Sequence, residues 1–246
     1  MLVMNIMDIN LREYLQQNHN QLTWKEKIQI AVDIIYALYE IHIENTIHRD
    51  LHSGNILYSQ LNQAWCISDL GFCGPADKPL KSIYGNLPYI APEVIAGKQT
   101  TKASDIYSIA MLMWEISSGH PPFINHEHDY YHAMNIINGI RPRIVPGTPL
   151  EYESLMKQCW DADPLKRLDS YTLWKKLREI NLYYLNKSDE QTQSEINTDF
   201  EMNKISSVVI NYTSSRLFTS KVHQFENFPE PRNATEGIIC ILFINL

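Results

Sequence analysis

The sequence predicts an α+β fold that is mostly helical and carries one short β-hairpin. Two observations predict it. Residues 28–41, 106–116 and 173–180 repeat apolar side chains at helical spacing, which sets one apolar stripe against a core. Two short strand signals, Ile56-Leu57-Tyr58 and Ala64-Trp65-Cys66-Ile67, flank the polar run 59–63, the pattern of a hairpin. A length of 246 residues, 44% hydrophobic and 20% charged, suits one globular domain with something appended.

Taken in order, residues 1–4 (Met-Leu-Val-Met) read as the end of a buried strand. Asn10 followed by Glu13 is a capping box that opens a short helix, LREYLQQ. Thr23 with Glu26 is a second one, opening a long helix to about His42. Its stripe is Ile28, Ala31, Ile34, Ile35, Leu38 and Ile41. The hairpin follows. Ser104 and Asp105 precede Ile106, Ile109, Ala110, Met113 and Ile116, a strongly apolar helix expected at the centre of the fold. Gly119 stops that helix and Pro121-Pro122 forbid its restart. His120, His126, His128 and His132 crowd the next stretch. No carboxylate or Cys completes a ligand set there, so they read as a polar loop and helix start rather than a metal site. Leu173, Trp174, Leu177 and Ile180 form the last helix, to about Leu182. Residues 1–182 are therefore one domain and 183–246 a tail. The polar run after Asn186 lacks a core pattern, and disorder is expected of the tail 183–246.

Composition narrows the function classes. A formal charge of −7 gives no basic footprint for nucleic acid. The apolar run 238–246 is too short to span a bilayer, so no membrane role is expected. Cys66, Cys73, Cys159 and Cys240 lack CxxC spacing, which argues against a disulfide framework or a zinc site. Reduced thiols in the cytoplasm or nucleus are the expectation. Oligomeric state is left open.

Chemistry concentrates in residues 48–55, HRDLHSGN, which fit the pattern H-R-D-L-x-x-x-N at every fixed position. Asp69-Leu70-Gly71 and Ala91-Pro92-Glu93 follow in order, in the places of D-F-G and A-P-E. On these three motifs, residues 1–182 resemble the C-terminal lobe and hinge of a protein kinase, nearest to the tyrosine-kinase-like group. The fold class implied is protein-kinase-like, with the N-lobe largely missing. The first glycine is Gly54 and the first lysine Lys25. Neither a glycine-rich phosphate loop nor a strand lysine thus stands before the hinge, and the sequence reads as N-terminally incomplete.

The resemblance implies ATP and Mg2+ as cofactors and a protein hydroxyl as acceptor. Asp50 would orient that hydroxyl and take its proton, while Asn55 and Asp69 would be the metal ligands. Met4 would be the gatekeeper, Asn5 and Met7 would meet the adenine edge, and Leu57 would floor its pocket. His52 stands where serine/threonine kinases usually carry Lys and is a poorer partner for the γ-phosphate. Asn86 follows Gly85 where they place Thr. Serine or threonine is still the favoured acceptor. Leu70 is expected to keep the inward anchor that Phe usually provides. Arg49 resembles the arginine that grips a phosphate on the activation segment, with Ser82 and Tyr84 as nearby hydroxyls; the plainer reading is a brace on backbone carbonyls. Asp105 would tie its helix to the catalytic loop, and Arg167, in the pattern C-W-x-x-x-P-x-x-R, would pair with Glu93. A second function class, a non-catalytic kinase-like module that binds partners, is the alternative. Asp50, Asn55 and Asp69 favour the catalytic reading, because a binding module needs no magnesium ligands, whereas the missing phosphate loop and strand lysine favour inactivity of this chain.

Overall fold

A computed structural model describes residues 9–75, 83–186, 219–225 and 228–234. The strands are β1 (Ile9–Asn10), β2 (Thr46–Ile47), β3 (Ile56–Ser59), β4 (Ala64–Ile67), β5 (Gly74–Pro75), β6 (Ile83–Gly85) and β7 (Lys221–His223). The α-helices are α1 (Leu11–Asn18), α2 (Trp24–Ile43), α3 (Pro92–Ile95), α4 (Lys102–Ser118), α5 (Tyr130–Ile137), α6 (Leu150–Cys159) and α7 (Ser170–Asn186). The strands make three small antiparallel sheets, ordered β1-β3-β4, β2-β5 and β6-β7. Helices dominate, as the periodicity predicts.

The helix starts follow local chemistry. At α2, Thr23 Oγ1 accepts from the Glu26 amide at 3.3 Å and the Glu26 carboxylate accepts from the Thr23 amide at 2.7 Å, a complete capping box. At α1 only half of the expected box forms: Asn10 Oδ1 accepts from the Glu13 amide. The α2 stripe is core, with Ile28, Ala31, Ile34, Ile35 and Leu38 buried against α4 and α7.

Helix α4 runs through the centre. Every residue from Ser104 to Ser117 except Trp114 is buried, so this helix is enclosed on all sides rather than amphipathic. Gly119 ends it at φ +77°, and a Cβ there would collide with the His19 ring. Both the left-handed turn and the close approach require glycine.

The polypeptide departs from expectation at its C-terminal end. Helix α7 continues to Asn186, beyond the predicted Leu182. More significantly, residues 219–225 and 228–234 are not a disordered tail: β7 pairs with β6, and the second segment lies on α5 and the end of α6. The Arg232 amide donates to Ile137 O at 3.0 Å, and Asn233 Oδ1 accepts from the Ala162 amide at 2.9 Å. Gly139 leaves no room for a Cβ where Ala234 and Arg232 pass. Tyr130 stacks on Phe228 at 4.9 Å. Residues 187–218, where the polar run begins, lie outside the described residues.

Candidate active site

The catalytic loop hangs from α4. Asp105, 1% exposed, accepts from the His48 amide at 2.8 Å, the Arg49 amide at 2.9 Å and His42 Nε2 at 3.0 Å. This is the tie expected of Asp105: one buried carboxylate holds two consecutive loop amides. His48 adds a second brace. Its Nδ1 accepts from the Asp50 amide at 3.3 Å, so Nε2 carries the proton and donates to Ser68 O at 2.9 Å. The loop is thereby bound both to α4 and to the residue before Asp69.

Asp50 is 3% exposed. Burial raises its pKa, while hydrogen bonds from Ser220 and Asn55 work the other way. Asn55 Nδ2 donates to Asp50 O at 3.0 Å and approaches Oδ2 at 3.5 Å. With Nδ2 committed, Oδ1 is the amide atom left for a cation. Asp69 is exposed at φ +55°, ψ +63°. It is positioned by Ser68, whose amide and hydroxyl both donate to Asn55 O, at 2.8 and 2.9 Å. Asp50, Asn55 and Asp69 are therefore linked through one short network.

His52 sits beside Asp50, with Nε2 3.9 Å from Oδ2, and its Nδ1 accepts from the Gly54 amide at 3.1 Å. Burial pushes its pKa down to about 3. A neutral ring that caps its own turn braces the loop and offers no cation to a phosphate. Leu57 is half-buried on β3, opposite Asn10 and Cys66. Met4, Asn5, Met7 and Ser82 lie outside the described residues.

One expectation changes. Leu70 is not an inward anchor; it is 58% exposed. The left-handed Asp69 opens a 3-10 turn over Leu70–Phe72 that carries Leu70 outward. Phe72 stacks on Tyr84 at 3.8 Å. Arg49 follows the plainer of its two readings, donating to Phe72 O at 3.2 Å and Pro75 O at 2.9 Å. It braces the start of the segment through carbonyls.

Two features escaped the sequence reading. Strand β7 lies along β6, with Lys221 opposite Gly85, Val222 opposite Tyr84 and His223 opposite Ile83. Just before it, the Ser220 hydroxyl donates to Asp50 Oδ1 at 2.6 Å. Their partners are more than a hundred residues away in sequence, and no local periodicity marks them.

The histidines of the α5 region form a ring cluster: His132 stacks with His126 at 5.5 Å and His128 at 5.9 Å. Among the described residues no group of three His, Cys, Asp or Glu could hold a metal. Burial depresses His132 to about 3, as it does His52. Both stay neutral in the fold but take a proton near pH 6.5 when unfolded. Their contribution to stability is thus full above about pH 6.5 and is lost as pH falls from there towards 3. The midpoint of urea unfolding is expected to drop steadily between pH 6.5 and 4.5. His132→Asn should flatten that slope; an unchanged slope would show that His132 titrates alike in both states.

A sequence model of the family described as protein tyrosine and serine/threonine kinase matches residues 1–177. The chain belongs to that kinase family. A human dual serine/threonine and tyrosine protein kinase is 36% identical over 150 residues, covering 59% of this chain and 16% of the relative. The honeybee (Apis mellifera) protein of the same description is 32% identical over 156 residues. The dual specificity protein kinase zakA of Dictyostelium discoideum is 30% identical over 192 residues, covering 71% of this chain and 25% of the relative. The kinase chain thus spans a quarter or less of the length of these relatives. Its loop, its Asp69 turn and its Glu93 helix are the kinase motifs placed in three dimensions.

Proposed function

We propose that this lobe provides the acceptor and metal side of a protein kinase that moves the γ-phosphoryl group of ATP to a protein hydroxyl. The observation that carries the reading is a buried carboxylate, Asp50, with one oxygen already meeting a serine hydroxyl at 2.6 Å. The donor set suits magnesium, a hard cation that takes few protein oxygens and shares the rest with phosphates and water. Asn55 Oδ1 and the Asp69 carboxylate would hold it, and Leu57 would lie under the adenine. When bound, magnesium ATP supplies the phosphoryl group and neutralises the charge that develops on it.

The chain's own residues do the rest. Asp50 holds the acceptor hydroxyl in line and receives its proton; its raised pKa favours that receipt. Asn55 ties down the main chain at Asp50 through the 3.0 Å bond to its carbonyl. His48 and Asp105 fix the loop, so little reorganisation accompanies the step. Serine or threonine is the proposed acceptor, and the relatives' printed names bring tyrosine into the test as well.

The test is transfer of labelled γ-phosphate to serine, threonine and tyrosine peptides by the protein purified from its own cells. Asp69→Ala is expected to lower transfer at least about a hundredfold, because the metal loses its one charged protein ligand in this set. It should also weaken magnesium-dependent ATP binding in a calorimetric titration. Transfer and binding both unchanged would reject the metal assignment.

A further inference from the structure

The tail segment 219–225 sits where an acceptor peptide has to sit. A hydroxyl meets the carboxylate that would take its proton, and the following residues run antiparallel along β6, ahead of Ala91-Pro92-Glu93. Side-chain contacts fix the register. His223, 6% exposed, donates from Nε2 to Gly85 O at 3.0 Å, and Lys221 Nζ reaches His128 O at 3.4 Å. The neighbouring anchor 228–234 holds the segment in place from the other side. Arg232 Nη2 donates to Asn138 Oδ1 at 3.0 Å, and Asn233 Nδ2 donates to Asp161 Oδ1 at 3.1 Å.

We propose that residues 219–225 are a substrate segment held in cis in the acceptor groove, with Ser220 as its phosphoacceptor. The proposal rests on the kinase reading and deepens it. The groove takes an extended strand by main-chain pairing to β6, as in β-strand addition. It reads a hydroxyl at Asp50, and an imidazole three residues later at Gly85 O. In the transfer step Ser220 Oγ bonds to the γ-phosphorus of ATP. The bond from that phosphorus to the β,γ-bridging oxygen breaks, and its electron pair leaves with ADP. The hydroxyl proton passes to Asp50. Until then the segment excludes outside acceptors from the groove.

Two measurements test this, one independent of catalysis. In the first, a fluorescent peptide of residues 217–225 is titrated into residues 1–246, unaltered or carrying His223→Pro. That change removes the imidazole bond to Gly85 O and puts a proline ring into the strand. The peptide is expected to bind the variant at least about tenfold more tightly, since its own strand no longer competes. Equal affinity for the two chains, or binding to neither, would overturn the seat. The second uses the unaltered protein purified from its own cells, incubated with magnesium ATP and mapped by mass spectrometry. Phosphate on Ser220, gained at a rate unchanged by tenfold dilution, is expected. Phosphate on added peptides or other residues but never on Ser220 would overturn the proposal and leave the kinase reading standing. A Ser220 rate proportional to protein concentration would overturn the in-cis claim. Transfer to no hydroxyl at all would remove the kinase reading, and the acceptor role of Ser220 with it.

Discussion

Replacing Arg167 by alanine is expected to cost the lobe roughly 3 to 5 kcal/mol of stability, the magnitude for stranding one partner of a buried ion pair. Arg167 and Glu93 meet in two parallel bonds, Nη1 to Oε1 and Nη2 to Oε2, both 2.7 Å. Their side chains are 0% and 4% exposed. Without the guanidinium, Glu93 keeps only the Ser104 hydroxyl at 3.1 Å. The carbonyls of Asp161 and Ala103, which accept from Arg167 at 2.8 and 2.9 Å, also lose a donor. Lysine cannot reproduce the fork, so Arg167→Lys should recover only part of the loss. Replacing both partners by apolar residues of similar size should cost less than either single change. The measurement is the denaturant midpoint at constant slope. A loss under about 1 kcal/mol, the scale of an exposed pair, would contradict the burial of this one.

The second large effect is chemical. Asp50→Asn should lower turnover at least about a hundredfold, the usual scale for loss of a general base, with ATP affinity nearly unchanged. The substitution is a clean probe of the proton. An amide oxygen can still accept from Ser220, and the main-chain carbonyl of residue 50 still accepts from Asn55. The direct Asn55–Asp50 side-chain contact, at 3.5 Å, is at the limit of a hydrogen bond and contributes little. Position and packing are therefore kept while basicity is removed. Turnover retained by a purified Asp50→Asn protein would show that the acceptor proton goes elsewhere.

What was legible in the sequence was whatever short-range chemistry encodes. The Thr23 box, the α2 stripe and the Gly119 stop are local patterns, and each appears where periodicity or capping places it. The loop motif, Asp105 and the Arg167–Glu93 pair were legible through fixed spacings that one resemblance tied together. Leu70 was misread because its outward turn depends on the left-handed Asp69, and Asp tolerates that backbone without announcing it. Arg49 had two readings because a guanidinium serves carbonyls and phosphates alike. The tail strand was illegible for a different reason. Three strand residues with no apolar alternation carry almost no signal, and their stability comes from β6 and from a distant anchor.

That anchor turns the groove into a question of local concentration. Only residues 226 and 227 separate the strand segment from the stretch fastened to α5 and α6. A strand on so short a tether faces its groove at an effective concentration on the order of millimolar. If the strand alone bound at about 10 μM, an untethered peptide would meet a groove occupied about ninety-nine times in a hundred, and its apparent affinity would fall about a hundredfold. Selectivity among outside acceptors is then set less by contacts with β6 than by what can loosen Arg232 and Asn233.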